Sequence, residues 1–317
     1  MVLEQERFPV QDIITKHINL ILLFRVVILM ARKAVYAGQF YEKNEQALDK
    51  QITEMFEGNN GPGALPLSKR SSKKIQAIIA PHAGYQFSGP CAAWAYKEIA
   101  ESEFADVYII IGPNHSGAGN AISMQGYETP FGVVRVDQEF ARALLEKNEE
   151  LKEDEAAHAE EHSIEVQLPL LQFATKDKMH ELKIVPILVH ELDYAKLGLD
   201  LKETIIESGK KVVIIVSSDF THYGHNYHYI PFSTDVKKNI YERDKKAIDF
   251  IEAINADGFI GFIDETQGTV CGAFPIAVLL KSLKHSKVEL LQYYTSADLE
   301  ENSTYKNSVS YAAILFN

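Results

Sequence analysis

The chain has 317 residues, 46% of them hydrophobic and 24% charged, which is typical of a globular protein with a large core. Its formal net charge of −12 argues against a nucleic-acid-binding protein, because such proteins need basic surfaces to neutralise phosphates. Two cysteines, Cys91 and Cys271, are too few for a secreted disulfide scaffold. We therefore expect reduced thiols and a cytoplasmic location.

An apolar stretch near the N-terminus, HINLILLFRVVILM at 17–30, resembles a signal or membrane segment. Arg25 interrupts it, it is shorter than the roughly 20 apolar residues of a spanning helix, and no small-residue cleavage site follows. Met30 opens a second credible start, MARKAVYAGQFY. We therefore interpret residues 1–29 as an extension from a mis-assigned start rather than a membrane anchor, and we place one domain over 30–317.

Apolar runs of strand length recur along the chain and end in polar or glycine-containing turns. The four that are richest in Ile and Val lie at 74–82, 105–115, 182–190 and 211–220. Such runs predict strands that are covered on both faces, as in a parallel or mixed sheet between helices. Two later runs, 288–296 and 309–316, alternate more and predict outer strands.

Helical patterns separate the strands. Amphipathic spacing predicts helices over 44–57, 137–148, 193–207 and 235–253. A further helix is predicted after Ser88, with Ser88 as its cap and Pro90 in its first turn. No internal repeat or linker divides the chain, so the fold class is α/β, a single domain with a central mixed or parallel sheet covered by helices.

Polar side chains follow the predicted central strands. His82, His115 and His190 each close a strand run, and Asp219 and His222 follow the fourth run at once. Ligands of open α/β sheets bind at the carboxyl ends of the strands, where loops converge. The sequence therefore predicts that several strands deliver polar groups to one edge of the sheet.

Two of these histidines share a local pattern. In IIAPHAGYQFSGP, Pro81 and Gly84 restrain the backbone around His82, which suits a metal-binding imidazole. The alternative is a strand–turn–helix junction in which the ring bonds a backbone carbonyl. IIIGPNHSG repeats the pattern at His115, and its glycines match neither common nucleotide-binding motif.

The loop SSDFTHYGHNYH concentrates titratable groups. Asp219 and His222 could form an acid/base pair in which the carboxylate orients the ring. His225 and His228 are interpreted as solvated loop residues. A serine hydrolase is disfavoured because the GxSxG motif is absent.

Two further segments carry candidate site residues. In EEHSIEVQLPLLQF, a helix would place His162 and Glu165 on one face, which favours a pair supporting a pocket wall over a second metal site. Cys271 precedes an apolar helix, whose N-terminus would favour a thiolate, although a buried structural cysteine is the usual case. Cys91 lies within a helical pattern and is assigned to the core.

Taken together, the motifs resemble the Memo family. The matching pieces, in family order from about Val35 to Phe316, are AVYAGQFY, IIAPHAGYQFSGPCAAWAYK, IIIGPNHSG, TPFGVVRVD, EEHSIEVQLPLLQ, VPILV, VSSDFTHYG, VCGAFPIAVLL and SVSYAAILF. The resemblance implies a fold similar to the class III extradiol dioxygenases, in which two histidines and a glutamate hold non-haem Fe(II).

The family pattern implies roles for individual residues. His82 and His115 match the two metal-ligand histidines, and Cys271 stands where the dioxygenases have glutamate. Asp219 and His222 match the pocket pair of the family, with His222 in the acid/base position. Fe(II) is the expected cofactor, with Cu or Zn as alternatives because thiolate is softer than carboxylate.

These implications lead to two expectations about function. The first is a metal-dependent oxidoreductase acting on a small-molecule substrate, with Tyr85 and His162 lining the pocket. The second is a non-catalytic peptide- or protein-binding or metal-handling module that uses the same cleft. In prokaryotes the family is associated with AMMECR-type and radical SAM proteins, so a functional association with these is expected, and binding to nucleic acid or membrane is not.

Overall fold

The computed structural model describes residues 31–117, 119–283, 285–301 and 303–317. The expectations about residues 1–29 and about the apolar stretch at 17–30 lie outside the described residues. Within them, no helix has the length and apolar character needed to cross a membrane.

The helices of the described chain fall close to the amphipathic segments. They are α1 (Glu45–Glu57), α2 (Tyr85–Glu101), α3 (Gln138–Lys147), α4 (Glu155–Ala159), α5 (His162–Glu165), α6 (Gln167–Ala174), α7 (Tyr194–Ser208), α8 (Val236–Glu252), α9 (Ala256–Thr266) and α10 (Ala273–Ser282). The four amphipathic predictions correspond to α1, α3, α7 and α8, each within one residue at either end, and are confirmed.

The strands of the described chain combine into a mixed sheet. They are β1 (Ala77–Ala80), β2 (Val107–Pro113), β3 (Asn120–Ile122), β4 (Tyr127–Thr129), β5 (Gly132–Val136), β6 (Leu151–Glu153), β7 (Lys183–Val189), β8 (Val212–Ser217), β9 (His222–Gly224), β10 (Val288–Thr295) and β11 (Asn307–Phe316). The main order is β10-β11-β1-β8-β2-β7-β3-β6.

The four Ile/Val-rich runs are neighbours at the centre of this sheet. Strands β1, β8, β2 and β7 pair in parallel, and antiparallel strands flank them on both sides. Adjacent residues of a strand point to opposite faces, so Ile78 packs in one apolar cluster and Ile79 in the other. Two buried faces explain the nearly continuous apolar runs, and the predicted α/β fold with a mixed sheet is confirmed.

Two local predictions differ from the structure. Strand β11 is not an outer strand, since it lies between β10 and β1 and is almost wholly buried. Helix α2 begins at Tyr85, before Ser88 rather than after it. The Ser88 hydroxyl donates to the Ala83 carbonyl at 2.8 Å instead of capping the helix, so Pro90 lies one turn inside α2.

Candidate metal centre

The three side chains predicted to bind a metal meet at the carboxyl ends of the central strands. His82 follows β1, His115 follows β2, and Cys271 precedes α10. One ligand atom from each lies within 4.8 Å of the others. His82 Nε2 is 3.2 Å from Cys271 Sγ, and the centroids of the two imidazole rings are 5.4 Å apart. The structure thus brings the predicted set together.

A buried hydrogen-bond network fixes the tautomer of His82. Ser217 Oγ donates to the Ser163 carbonyl at 2.6 Å, so it accepts from Gln167 Nε2 and from His82 Nδ1, each at 2.8 Å. Nδ1 therefore carries the proton, and the lone pair of Nε2 faces Cys271. Burial, with the nearby His162 and His115, lowers the pKa of His82 well below its ordinary value. The ring is held in the neutral form that binds metals.

Glu161 fixes the tautomer of His115, as Ser217 does for His82. Its two carboxylate oxygens accept from His115 Nδ1 at 2.9 Å and from the His115 backbone N–H at 2.7 Å. Burial opposes ionisation, but the hydrogen bond and the charge of His115 outweigh it and lower the pKa of Glu161 to about 2. A carboxylate can only accept, so His115 Nδ1 donates and Nε2 is left for the pocket.

Close backbone packing positions Cys271. A Cβ atom on Gly272 would lie 2.4 Å from Ser218 Cβ, so only glycine allows this approach to the end of β8. The Gly272 N–H donates to Ser218 Oγ at 3.0 Å, and the Asp219 N–H donates to Cys271 Sγ at 3.2 Å. Burial, with the Asp219 carboxylate, raises the pKa of the Cys271 thiol. This shift opposes the thiolate that the helix N-terminus is expected to favour, so a bound cation would have to displace the proton.

Asp219 and His222 lie beside this group but are not joined to each other as expected. Asp219 is buried and accepts from the His82 backbone N–H at 2.8 Å. His222 Nδ1 is 2.9 Å from the carbonyl oxygens of both Phe220 and Thr269, so the main chain, rather than Asp219, orients this ring. Burial raises the pKa of Asp219, and the positive potential of His222 opposes that shift. The acid/base roles of the two residues stay predictions.

His162, predicted to line the pocket, is a third imidazole beside His82 and His115. Its ring stacks on that of His115, with centroids 4.6 Å apart and planes 13° from parallel, and it lies 5.3 Å from the His82 ring. Phe40 and Tyr36 pack against its outer side. Burial, with neighbouring His115, lowers the pKa of His162 to about 4.

Glu165, predicted to support a pocket wall with His162, is a buried structural residue. Its carboxylate is fully buried and pairs with Arg32. It also accepts from the backbone N–H groups of Val35 and Tyr36 and from the Tyr41 hydroxyl. These donors use the lone pairs of both oxygens, so Glu165 attaches the first described residues to α5 and is not free to bind a ligand.

Tyr85 is likewise a core residue rather than a pocket residue. It is 1% exposed, and its hydroxyl donates to the Val166 carbonyl at 2.7 Å. Its backbone N–H donates to the Phe40 carbonyl at 2.7 Å. The hydroxyl is therefore committed to holding α2 against the segment between α5 and α6.

The remaining candidate histidines are exposed at the surface. His190, at the end of β7, is exposed, as are His225 and His228, which agrees with a solvated loop for the latter two. The residues that the sequence did not single out are Glu161, Ser217 and Gln167. For Glu161 a signal was available, because it directly precedes HSIE, at the N-cap position of α5, where its side chain accepts from the Ser163 N–H at 2.8 Å.

The fold and the site together define a single-sheet α/β protein with a candidate His-His-Cys metal centre at the strand ends. Comparison with known protein families shows that residues 32–315 match the family described as Memo-like protein. The chain belongs to that family.

The relatives in this family span nearly the whole chain. A MEMO1 family protein of Methanopyrus kandleri is 38% identical over 296 residues, covering 90% of this chain and 99% of the relative. One of Methanothermobacter thermautotrophicus is 37% identical over 280 residues, covering 85% and 95%. An uncharacterized protein of Escherichia coli K12 of known structure aligns at a TM-score of 0.49 and 10% identity over 77% of this chain and all of its own.

Proposed function

We propose that this protein binds one transition-metal ion through His82, His115 and Cys271, and that it is a metal-dependent oxidoreductase acting on a small substrate. Fe(II) is the proposed ion, with Cu or Zn as alternatives. The observation that carries the proposal is the pair formed by His82 Nε2 and Cys271 Sγ, 3.2 Å apart, with the His82 tautomer fixed by Ser217.

The donor atoms suit such an ion. Nitrogen and sulfur atoms bound to one tetrahedral ion at about 2.1 and 2.3 Å lie about 3.6 Å apart. His82 Nε2 and Cys271 Sγ, now 3.2 Å apart, would therefore need to separate only slightly to bind one ion. Imidazole and thiolate are ligands for Fe, Cu and Zn rather than for Mg or Ca. Each histidine has a polar partner on Nδ1, as metal-binding histidines in proteins usually do.

The chain itself would supply binding, orientation and proton transfer. A bound metal would contribute Lewis-acid and redox chemistry. His222, with Nδ1 tied to main-chain carbonyls, presents Nε2 as the atom that accepts or donates a proton. Asp219 holds the backbone of His82 in place by accepting its N–H at 2.8 Å.

The direct test is anaerobic reconstitution with Fe(II), followed by metal analysis. We expect one ion per chain, lost from a His82→Ala, His115→Ala, Cys271→Ala triple variant and kept by a Cys91→Ala control. Metal retention by the triple variant at the wild-type level would refute the assignment. For catalysis, His222→Gln should keep its metal but lose oxygen consumption with a substrate that the wild type turns over.

A second candidate function is a non-catalytic metal-handling or peptide-binding module. The observation favouring it is the sulfur of Cys271, since thiolate shifts preference toward Cu(I) and Zn and is itself readily oxidised. Protein that retains its metal and consumes no oxygen across a broad panel of small substrates would favour this function over the first.

A further inference from the structure

A second group of ligating side chains overlaps the first at His115. One atom each of His115, Glu161 and His162 lies within 4.8 Å of the others. Oε1 of Glu161 is 2.9 Å from Nδ1 of His115 and 3.4 Å from Nδ1 of His162. Two stacked imidazole rings therefore approach the same carboxylate oxygen with the same ring nitrogen.

We propose that His115, Glu161 and His162 form an outer position for a divalent transition-metal cation, next to the inner His82, His115 and Cys271 site. The proposal rests on the proposed function in that the outer group would receive the same ion before the inner one. The side chains of His115 and His162 are 37% and 21% exposed, whereas His82 is 2% exposed. A cation arriving from solvent thus meets the outer group first.

The spacing of the donor atoms fits one ion. Two atoms that each bind a tetrahedral ion at about 2.1 Å lie about 3.4 Å apart, close to the 2.9 and 3.4 Å observed around Glu161 Oε1. The ion would take the place of the proton that His115 Nδ1 now donates to the carboxylate, and that proton would leave to solvent. Two imidazoles and a carboxylate form a donor set used by zinc and non-haem iron.

The carboxylate of Glu161 is held in place without any help from an ion. It is buried and accepts from the backbone N–H groups of His115 at 2.7 Å and of Ser163 at 2.8 Å. These main-chain donors fix both oxygens, so a cation would find the ligand already oriented. The stacking of His162 on His115, with Phe40 on its other side, restrains the second ring.

The test removes the inner site and measures zinc binding to the full chain. In a His82→Ala, Cys271→Ala background, competition with a chromogenic chelator should show one Zn²⁺ per chain, bound more weakly than in the wild type. Adding His162→Phe should weaken that binding at least tenfold, because phenylalanine keeps the ring stack but has no ligating nitrogen. His180→Phe in the same background is the matched control and should change nothing, since the His180 side chain is 81% exposed and precedes β7, at the opposite edge of the sheet from the group.

The outcomes separate this proposal from the function proposed above. Equal zinc affinity with and without His162→Phe, or no zinc binding in the double-variant background, would overturn the outer position. A wild type that binds zinc no more tightly than the double variant would instead contradict the inner site, and the His162→Phe comparison would still decide the outer one. If the double variant does not fold, Cys271→Ala alone supports the same comparison.

Discussion

At the scale of single residues, three imidazoles share one arrangement. Nδ1 of His82, His115 and His222 each faces an acceptor, Ser217, Glu161 or main-chain carbonyls respectively, so in all three rings Nε2 is the nitrogen that points away from this partner. Motifs around the strand ends predicted which histidines lie at the candidate metal centre, because the ends of the apolar runs can be read in the sequence. They could not predict these partners, because Ser217 and Glu161 lie 135 and 46 residues away from the rings that they hold.

Replacing Ser217 with alanine should weaken the metal centre without touching a ligand. Ser217→Ala leaves the N–H groups of His82 and Gln167 without their shared acceptor, which costs about 1–3 kcal/mol of unfolding free energy. Loss of such an outer partner also lowers metal affinity by about 10–100-fold. Denaturant unfolding and a metal-competition titration measure the two effects. Ser208→Ala, at the end of α7, is the control, and equal behaviour of the two variants would contradict the role of Ser217.

Replacing Glu165 tests whether its carboxylate is structural rather than a metal ligand. Glu165→Gln leaves the buried Arg32 guanidinium without its counter-charge, so the unfolding free energy should fall by about 3–5 kcal/mol. Metal stoichiometry of the folded protein should not change, because the carboxylate is committed to Arg32 and the adjoining backbone. Loss of metal from a variant that remains folded would restore Glu165 to the site.

At the scale of elements, the central strands were predictable and the short ones were not. Ile/Val runs covered on both faces identify β1, β2, β7 and β8 from composition alone. Strands β3, β4 and β6 have three residues each, too few for a periodic signal. Strand β11 was misplaced because alternation suggests one exposed face, whereas its two faces pack in the two apolar clusters and β10 and β1 pair with its two edges. Pairing across the sheet is a long-range property that local patterns do not contain.

The junction between β8 and α10 should tolerate no side chain at Gly272. Gly272→Ala would place a methyl group 2.4 Å from Ser218 Cβ and 2.9 Å from the Ser217 carbonyl oxygen, which forces Cys271 away from His82. We expect metal affinity to fall at least tenfold, as measured by chelator competition on folded protein. Gly261→Ala in α9 is the matched control, because nothing lies within 4 Å of the added Cβ. Unchanged affinity in Gly272→Ala would show that Cys271 does not depend on this close approach.

At the scale of the whole molecule, the first described residues pack onto the site through Arg32. Its guanidinium donates to the carbonyls of His158 and Glu161 as well as to Glu165. The sequence showed the AVYAGQFY segment only as a match to the Memo family, and did not reveal that it supports the helices carrying Glu161 and His162. These buried contacts of Arg32 join residues more than 120 positions apart, beyond the reach of any local motif.

The unfolding free energy should depend on pH because His158 is buried in its neutral form. Burial lowers the pKa of His158 to about 4 from an ordinary value near 6.5. Its contribution to folding is therefore complete above pH 6.5 and is lost as the pH falls toward 4, since the unfolded chain then binds the additional proton. The unfolding free energy should fall by up to about 1.4 kcal/mol per pH unit from this group. His158→Asn keeps an acceptor for the Tyr127 hydroxyl and should reduce the change of the unfolding free energy with pH between 6.5 and 4. An unchanged pH dependence in this variant would contradict the role given to His158.

The central claim is that Cys271 and the two histidines bind one ion together, and anaerobic titration with Co(II) tests it most directly. Co(II) serves as a spectroscopic substitute, because thiolate bound to it gives an intense charge-transfer absorption that imidazole does not. We predict that the absorption saturates at one equivalent in the wild type and in Cys91→Ala. It should vanish in Cys271→Ala and weaken sharply in His82→Ala. A wild-type titration without this absorption, or one that Cys271→Ala leaves unchanged, would contradict the account.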